Sequence, residues 1–217
     1  MSVNVGLNNF EIRAKAREKL KGRWLYGILT CFISAVILFV LVWIPFINFL
    51  YFLIITGPLS LGLATFFLNL HRDQNPIIEN LFDGFKSFSR ALVLQLWIVL
   101  FTFLWSLLFF IPGIIAALRY SMSFYILHDH PEMNPKDALK LSKQMMLGRK
   151  GKLFLLGLSF IGWAILAVLP FSIGLLWLVP YINASIASFY EDIKDAPMAN
   201  DATAATPTPL NAEVKTP

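Results

Sequence analysis

Residues Leu104–Tyr120 read LWSLLFFIPGIIAALRY, and two architectures compete for them. They close an uncharged apolar run from Ala91 to Leu118. As one helix those 28 residues would reach about 42 Å, well past a hydrocarbon core of about 30 Å. Tilt absorbs only part of that excess. The Ile111-Pro112-Gly113 triplet offers the alternative, a reversal inside the apolar region, because proline lacks the backbone donor a helix interior needs.

Charge decides between them. If the chain turns at Pro112, it makes six spans, at about 24–44, 46–70, 91–110, 113–127, 153–169 and 171–190. The N-terminal arm, the polar segments 71–90 and 128–152, and the C-terminal end after residue 190 then share one side. They hold six, three, six and two of the 18 Lys and Arg, and all 13 Asp and Glu. Only Arg119 is left over, and the other side keeps the short uncharged turns at Pro45, Pro112 and Pro170. With five spans, the six basic residues of 128–152 would face outward, against the positive-inside rule. The reading is therefore an all-α transmembrane protein, a six-span bundle of three hairpins with proline turns plus interfacial amphipathic helices. Its membrane domain covers 1–193, with both termini cytoplasmic and a disordered cytoplasmic tail at 194–217 rich in Ala, Thr, Pro and Asn.

Composition agrees. Of 217 residues 57% are hydrophobic and 14% charged, against roughly 25% charged in soluble domains. The net charge of +5 flanks apolar runs and sets orientation, so it does not argue for nucleic acid. The single cysteine, Cys31, lies inside an apolar run and reads as a small buried hydrophobe without a disulfide partner or metal role. The first apolar run, Trp24–Ile44, follows a long basic arm and lacks a small-x-small site, so it reads as a span rather than a cleaved signal.

Three polar segments carry helix patterns. Phe10–Lys21 is rich in Lys, Arg, Glu and Ala and predicts a helix along the inner membrane surface. In 71–90, Ile78, Leu81, Phe82, Phe85 and Phe88 fall on one face, opposite Glu79, Asn80, Asp83, Lys86 and Ser87. In 128–152, Asn134 is an N-cap with Pro135 at the first helical position. Ala138, Leu141 and Met145 form one face there, and Lys136, Lys140, Lys143 and Gln144 the other.

The layout repeats. Arg23 to Pro45, Arg90 to Pro112 and Gly148 to Pro170 are each 22 residues. Pro58, Arg119 and Pro180 are 61 apart, with Tyr120 and Tyr181 following the last two. Three hairpins related by a pseudo-threefold are the implied arrangement, with hydropathic coincidence as the alternative.

Few residues carry chemistry. Arg119 is the one charge predicted inside a span, which marks a polar site or an arginine that snorkels to the interface. Tyr120, Tyr125 and Tyr181 are its candidate neighbours. Gly57-Pro58 is a candidate helix break, or a packing kink, with Gly57 and Gly62 giving a smooth face for close approach. Phe82, Phe85, Lys140 and Lys143 form a candidate partner or lipid face, and basic residues there favour anionic lipids of the inner leaflet. His128-Asp129-His130 with His71 lacks metal-ligand spacing, and no catalytic fingerprint occurs. No catalytic residue, cofactor, metal or nucleic-acid partner is expected.

Several motifs carry a resemblance in combination: Gly57-Pro58-Leu59-Ser60-Leu61-Gly62, Asn80-Leu81-Phe82-Asp83-Gly84-Phe85, Leu104-Trp105-Ser106-Leu107-Leu108, Ile111-Pro112-Gly113-Ile114, Tyr120-Ser121-Met122, Ala138-Leu139-Lys140-Leu141-Ser142, Leu158-Ser159-Phe160-Ile161-Gly162-Trp163, and Pro180-Tyr181 with Phe189-Tyr190. Over about residues 10–193 the chain resembles the bacterial multi-pass membrane family catalogued as domain of unknown function 975, typical of Gram-positive bacteria. That resemblance implies a bacterial cell membrane and brings no catalytic residues. The expected function is non-enzymatic: transport or lipid handling near Arg119, or a scaffold or regulatory subunit that docks a partner on the amphipathic helices.

Overall fold

A computed structural model describes residues 7–42, 48–108, 110–168 and 174–194. The turns expected at Pro45 and Pro170 and the tail expected from residue 194 on fall, except for Lys194, outside those residues. Every element among the described residues is helical: α1 (Asn9–Leu20), α2 (Trp24–Val42), α3 (Asn48–His71), α4 (Asn80–Lys86), α5 (Phe88–Leu108), α6 (Phe110–Tyr120), α7 (Ser123–Asp129), α8 (Pro135–Met145), α9 (Lys150–Val168) and α10 (Leu175–Ile193).

Three of these are long and apolar enough to cross a membrane: Leu53–His71 in α3, Phe88–Leu107 in α5 and Lys150–Ala167 in α9. A fourth is added if α1 and α2, bent by 98° at their junction, form one span. Large apolar side chains stay exposed along α5 and α9, among them Phe103, Leu107, Leu158 and Trp163. Such a surface suits lipid and not water.

The chain does reverse in the stretch that posed the question, but ahead of Pro112. Helix α5 ends at Leu108 and α6 starts at Phe110, so Pro112 sits in the first turn of α6, where a missing backbone donor costs nothing. Gly113 then lies against Ser106: a Cβ there would fall 2.1 Å from the Ser106 Oγ. Only glycine lets the two antiparallel helices close so near their turn. The expected span at 113–127 is also two helices. The Ser121 hydroxyl donates back to the Leu118 carbonyl at 2.9 Å, and the chain restarts as α7 two residues on.

The core lies towards the charged end. Its fully buried side chains include Phe66, Phe67, Leu68 and Leu70 of α3, Ile126 of α7 and Phe189 of α10. The short helices cover it in rotation. Helix α1, which precedes α2, packs on α10 through Ile12, Ala16 and Leu20. Helix α4, which precedes α5, packs on α3. Helix α8, which precedes α9, packs on α7, α5 and α6. For α8 the expected cap is present: Asn134 Oδ1 accepts from the Lys136 N–H at 3.1 Å, with Pro135 next. Its buried face is Ala138, Leu139, Ser142 and Met145, rotated slightly from the predicted one, with Leu141 half-buried.

The α4 contact differs most from the periodicity. Phe82 and Phe85 point outward, 48% and 37% exposed, and the buried face is Leu81 and Gly84. A Cβ on Gly84 would lie 1.9 Å from the Pro58 carbonyl oxygen, and one on Gly62 would lie 1.8 Å from the Leu81 carbonyl oxygen. Backbone therefore packs on backbone, which places small residues at the interface and pushes the aromatic rings out. Gly57 meets α5 in the same way, against Ala91 and Gln95.

Candidate functional site

Helices α3, α7 and α10 bring their charged ends together. Arg72 directly follows α3, Asp129 ends α7, and Glu191 lies in the last turn of α10. The Arg72 Nη1 and Nη2 donate to the two Asp129 carboxylate oxygens at 2.8 and 2.7 Å, and its Nε donates to Glu191 Oε1 at 2.8 Å. The Tyr190 hydroxyl donates to Asp129 Oδ2 at 2.9 Å. One guanidinium fork thus ties three helices, using the planar bidentate geometry that lysine lacks. Burial pulls the Asp129 carboxyl up, but the hydrogen bonds from Arg72 and Tyr190 and the Arg72 charge outweigh it and hold it below the usual range. The hydrogen bond to Asp129 raises the Arg72 pKa further still. Burial lowers the pKa of neighbouring His128, partly against the Asp129 charge.

Around this cluster the same end is laced by further pairs. Lys152 meets Asp192 at 3.0 Å, Lys194 meets Glu191 at 2.7 Å, and Lys19 and Arg23 both reach Asp73. The Lys19 hydrogen bond holds the Asp73 carboxyl below its ordinary value.

A cavity of about 380 Å³ lies between α3, α6, α7, α9 and α10. Its walls are mostly apolar, with Leu156 and Phe160 among them, and its polar groups are few: Ser60, Ser121, Asn183 and Tyr125. Such lining suits an apolar ligand oriented by one or two hydrogen bonds. Tyr125 connects cavity and cluster. It stacks on Tyr190 with ring centroids 5.4 Å apart, and Tyr190 is the residue that bonds Asp129.

The predicted site residues are dispersed. Arg119 is in the last turn of α6; its carbonyl accepts the Ser142 hydroxyl of α8 at 2.8 Å, and the buried Nε of its half-buried side chain has no hydrogen-bond partner among the described residues. Its neighbours Leu118 and Ser121 line the cavity, but Arg119 does not. Tyr120 is buried against Leu94 and Ala116 and faces Phe101, 6.1 Å between centroids. Tyr181 belongs to a different surface, edge-on to Phe160, its hydroxyl donating to the Arg13 carbonyl at 3.3 Å. So Arg119, Tyr120 and Tyr181 do not form one constellation. Gly57-Pro58 is no break either: α3 runs through Pro58, and the small residues serve packing. Lys140 and Lys143 are exposed on α8. Among the described residues no three His, Cys, Asp or Glu side chains could hold a metal.

The Arg72, Asp129, Glu191 and Tyr190 cluster escaped the sequence reading. Its signal was present: Arg72, Asp129 and Glu191 are each the first charge after a predicted returning span, and their signs are complementary.

No curated protein and no solved structure matches the chain. A family does match, over residues 1–118 and again over 107–197. The two matches overlap across the α5–α6 turn and together take in every helix from α1 to α10, so the chain belongs to the family described as protein of unknown function (DUF975).

Proposed function

We propose that this is a six-span, non-enzymatic protein of a bacterial plasma membrane, with both termini cytoplasmic, that binds a lipid or another apolar molecule in its central cavity for transport or lipid handling. Charge placement supports the six spans, since nearly every charge then lies on one side. The rotation by which α1, α4 and α8 each cover the returning helix of another hairpin supports three repeats about a common axis.

The observation that carries the function is the lining of the cavity. Ser60, Ser121 and Ile182 are spaced by 61 residues, the repeat spacing, and Asn183 lies next to the last. Equivalent positions of the three returning segments thus line one space. The site sits beside Arg119 and not on it. The outward Phe82 and Phe85 leave a surface for a partner, but nothing in their surroundings selects one, so the cavity is the better supported site.

Gly157 gives a direct test. It lines the cavity, and a Cβ placed on it meets nothing within 4 Å. Gly157→Leu should therefore fill the space without strain. Purified wild-type protein is expected to bind a dansyl-labelled long-chain fatty acid, and Gly157→Leu to bind it at least about tenfold more weakly (about 1.4 kcal/mol) with unchanged thermal stability. Equal binding by both proteins would remove the cavity from the account.

A further inference from the structure

A second concavity, of about 520 Å³, lies between α1 and the α9–α10 pair and is separate from the central cavity. Its floor is basic: Arg13 and Arg17 of α1 line it together with Trp24. Its walls are aromatic and apolar, Trp163 and Trp177 above all, and both rings remain more than half exposed, 58% and 52%.

Arg13 and Arg17 share the lack of an ion pair among the described residues with Lys15 and Lys21 of the same segment, but they are the two cations that line the groove. Lys19 and Arg23, on the same segment, are paired with Asp73. Neither Arg13 nor Arg17 has a carboxylate at ion-pair distance among the described residues. The Arg13 Nε is buried with no hydrogen-bond partner. Buried guanidinium donors normally find an acceptor. Among the described residues no acidic side chain lines the groove to provide one. The helix that carries them is fixed in place, because Ile12, Ala16 and Leu20 are fully buried on its other face and Tyr181 holds the Arg13 carbonyl.

We propose that this groove seats an anionic phospholipid, with its phosphate on Arg13 and Arg17 and an acyl chain along Trp163 and Trp177. The chemistry matches on both counts. Guanidinium forks take phosphate oxygens bidentately, and indole rings prefer the boundary where a headgroup meets its chains. A free phosphate would use the arginines and leave the apolar wall without purpose, so the lipid is the occupant. This goes beyond the central-cavity reading, since it concerns other residues and another side of the bundle, and its test does not use the Gly157 site.

The test uses the full-length protein in phosphatidylcholine vesicles that contain a small fraction of brominated-chain phosphatidylglycerol or, in parallel, brominated-chain phosphatidylcholine. Bromine quenches nearby tryptophans, and three line this groove. The anionic lipid is expected to quench at a lower mole fraction, with relative association favouring it by roughly thirtyfold, in line with two basic residues at a membrane surface. Arg13→Gln with Arg17→Gln should abolish that preference, Arg13→Lys with Arg17→Lys should keep part of it, and Lys86→Gln with Lys150→Gln, outside the groove, should keep all of it. Equal quenching by the two lipids in the wild type overturns the proposal, whatever the variants do. So does a preference that disappears with Lys86→Gln and Lys150→Gln, or one that inorganic phosphate competes away. Tryptophans that neither lipid quenches would mean that a second copy covers the groove, which overturns it as well.

Discussion

Replacing Arg72 leaves the Asp129 and Glu191 carboxylates facing one another with their side chains 15% and 14% exposed. Arg72→Gln should therefore destabilise the protein by roughly 3 kcal/mol, the cost of breaking a largely buried pair. The sign of its pH dependence is a sharper check. In the wild type the Asp129 pKa is lowered, so its contribution is complete above the unfolded value of about 3.9 and is lost only as pH falls through the lower folded value. Without Arg72, burial raises the folded pKa above the unfolded one, and protonation then favours the fold. Unfolding temperatures in detergent, compared at about pH 7.5 and about pH 5, should show Arg72→Gln regaining stability on acidification while the wild type does not. A variant that is as stable as the wild type at both would show that the fork holds nothing together. At this scale the sequence was least legible. Arg119 stands out in a hydropathy reading because it interrupts an apolar run, whereas Arg72, Asp129 and Glu191 look like ordinary loop charges until three helix ends are known to meet.

At the scale of elements, helix positions were readable because apolar runs and polar gaps alternate cleanly, and Asn134-Pro135 announced α8 through its capping chemistry. Two things were not readable. The turn was assigned to Pro112-Gly113, yet proline fits the first turn of α6 and glycine serves the contact with Ser106, so both lie just past the reversal. For α4, periodicity favoured the large aromatic face as the buried one. Close backbone approach reversed it, since a helix pressed on Pro58 and Gly62 has room only for Leu81 and Gly84. Gly84→Ala should then cost roughly 2–3 kcal/mol through overpacking against backbone that has no space to yield. Gly162→Ala, where a Cβ meets nothing within 4 Å, should be neutral or slightly stabilising, as expected when alanine replaces an open helical glycine. Thermal unfolding of the two purified variants decides it, and equal melting temperatures would mean that α4 is not seated on α3.

At the scale of the whole molecule, the sequence reading rests on counting. Seventeen of 18 basic residues share one side only if the chain reverses near Pro112, and the antiparallel contact of Gly113 with Ser106 is the physical counterpart of that count. The rotation of α1, α4 and α8 around the bundle was not foreseeable, because spacing fixes which helices repeat but not which partner each one covers. The central cavity, the ion cluster and the groove beside α1 all depend on that rotation. Gly113 cannot report the topology, since a side chain there would collide with Ser106. Ile111, exposed beside the turn, is the better position. With Cys31→Ala removing the native thiol, Ile111→Cys should react with a membrane-impermeant maleimide on intact cells, and Lys143→Cys on α8 only after permeabilisation. Labelling of Lys143→Cys on intact cells, or of Ile111→Cys only after permeabilisation, would contradict the six-span account.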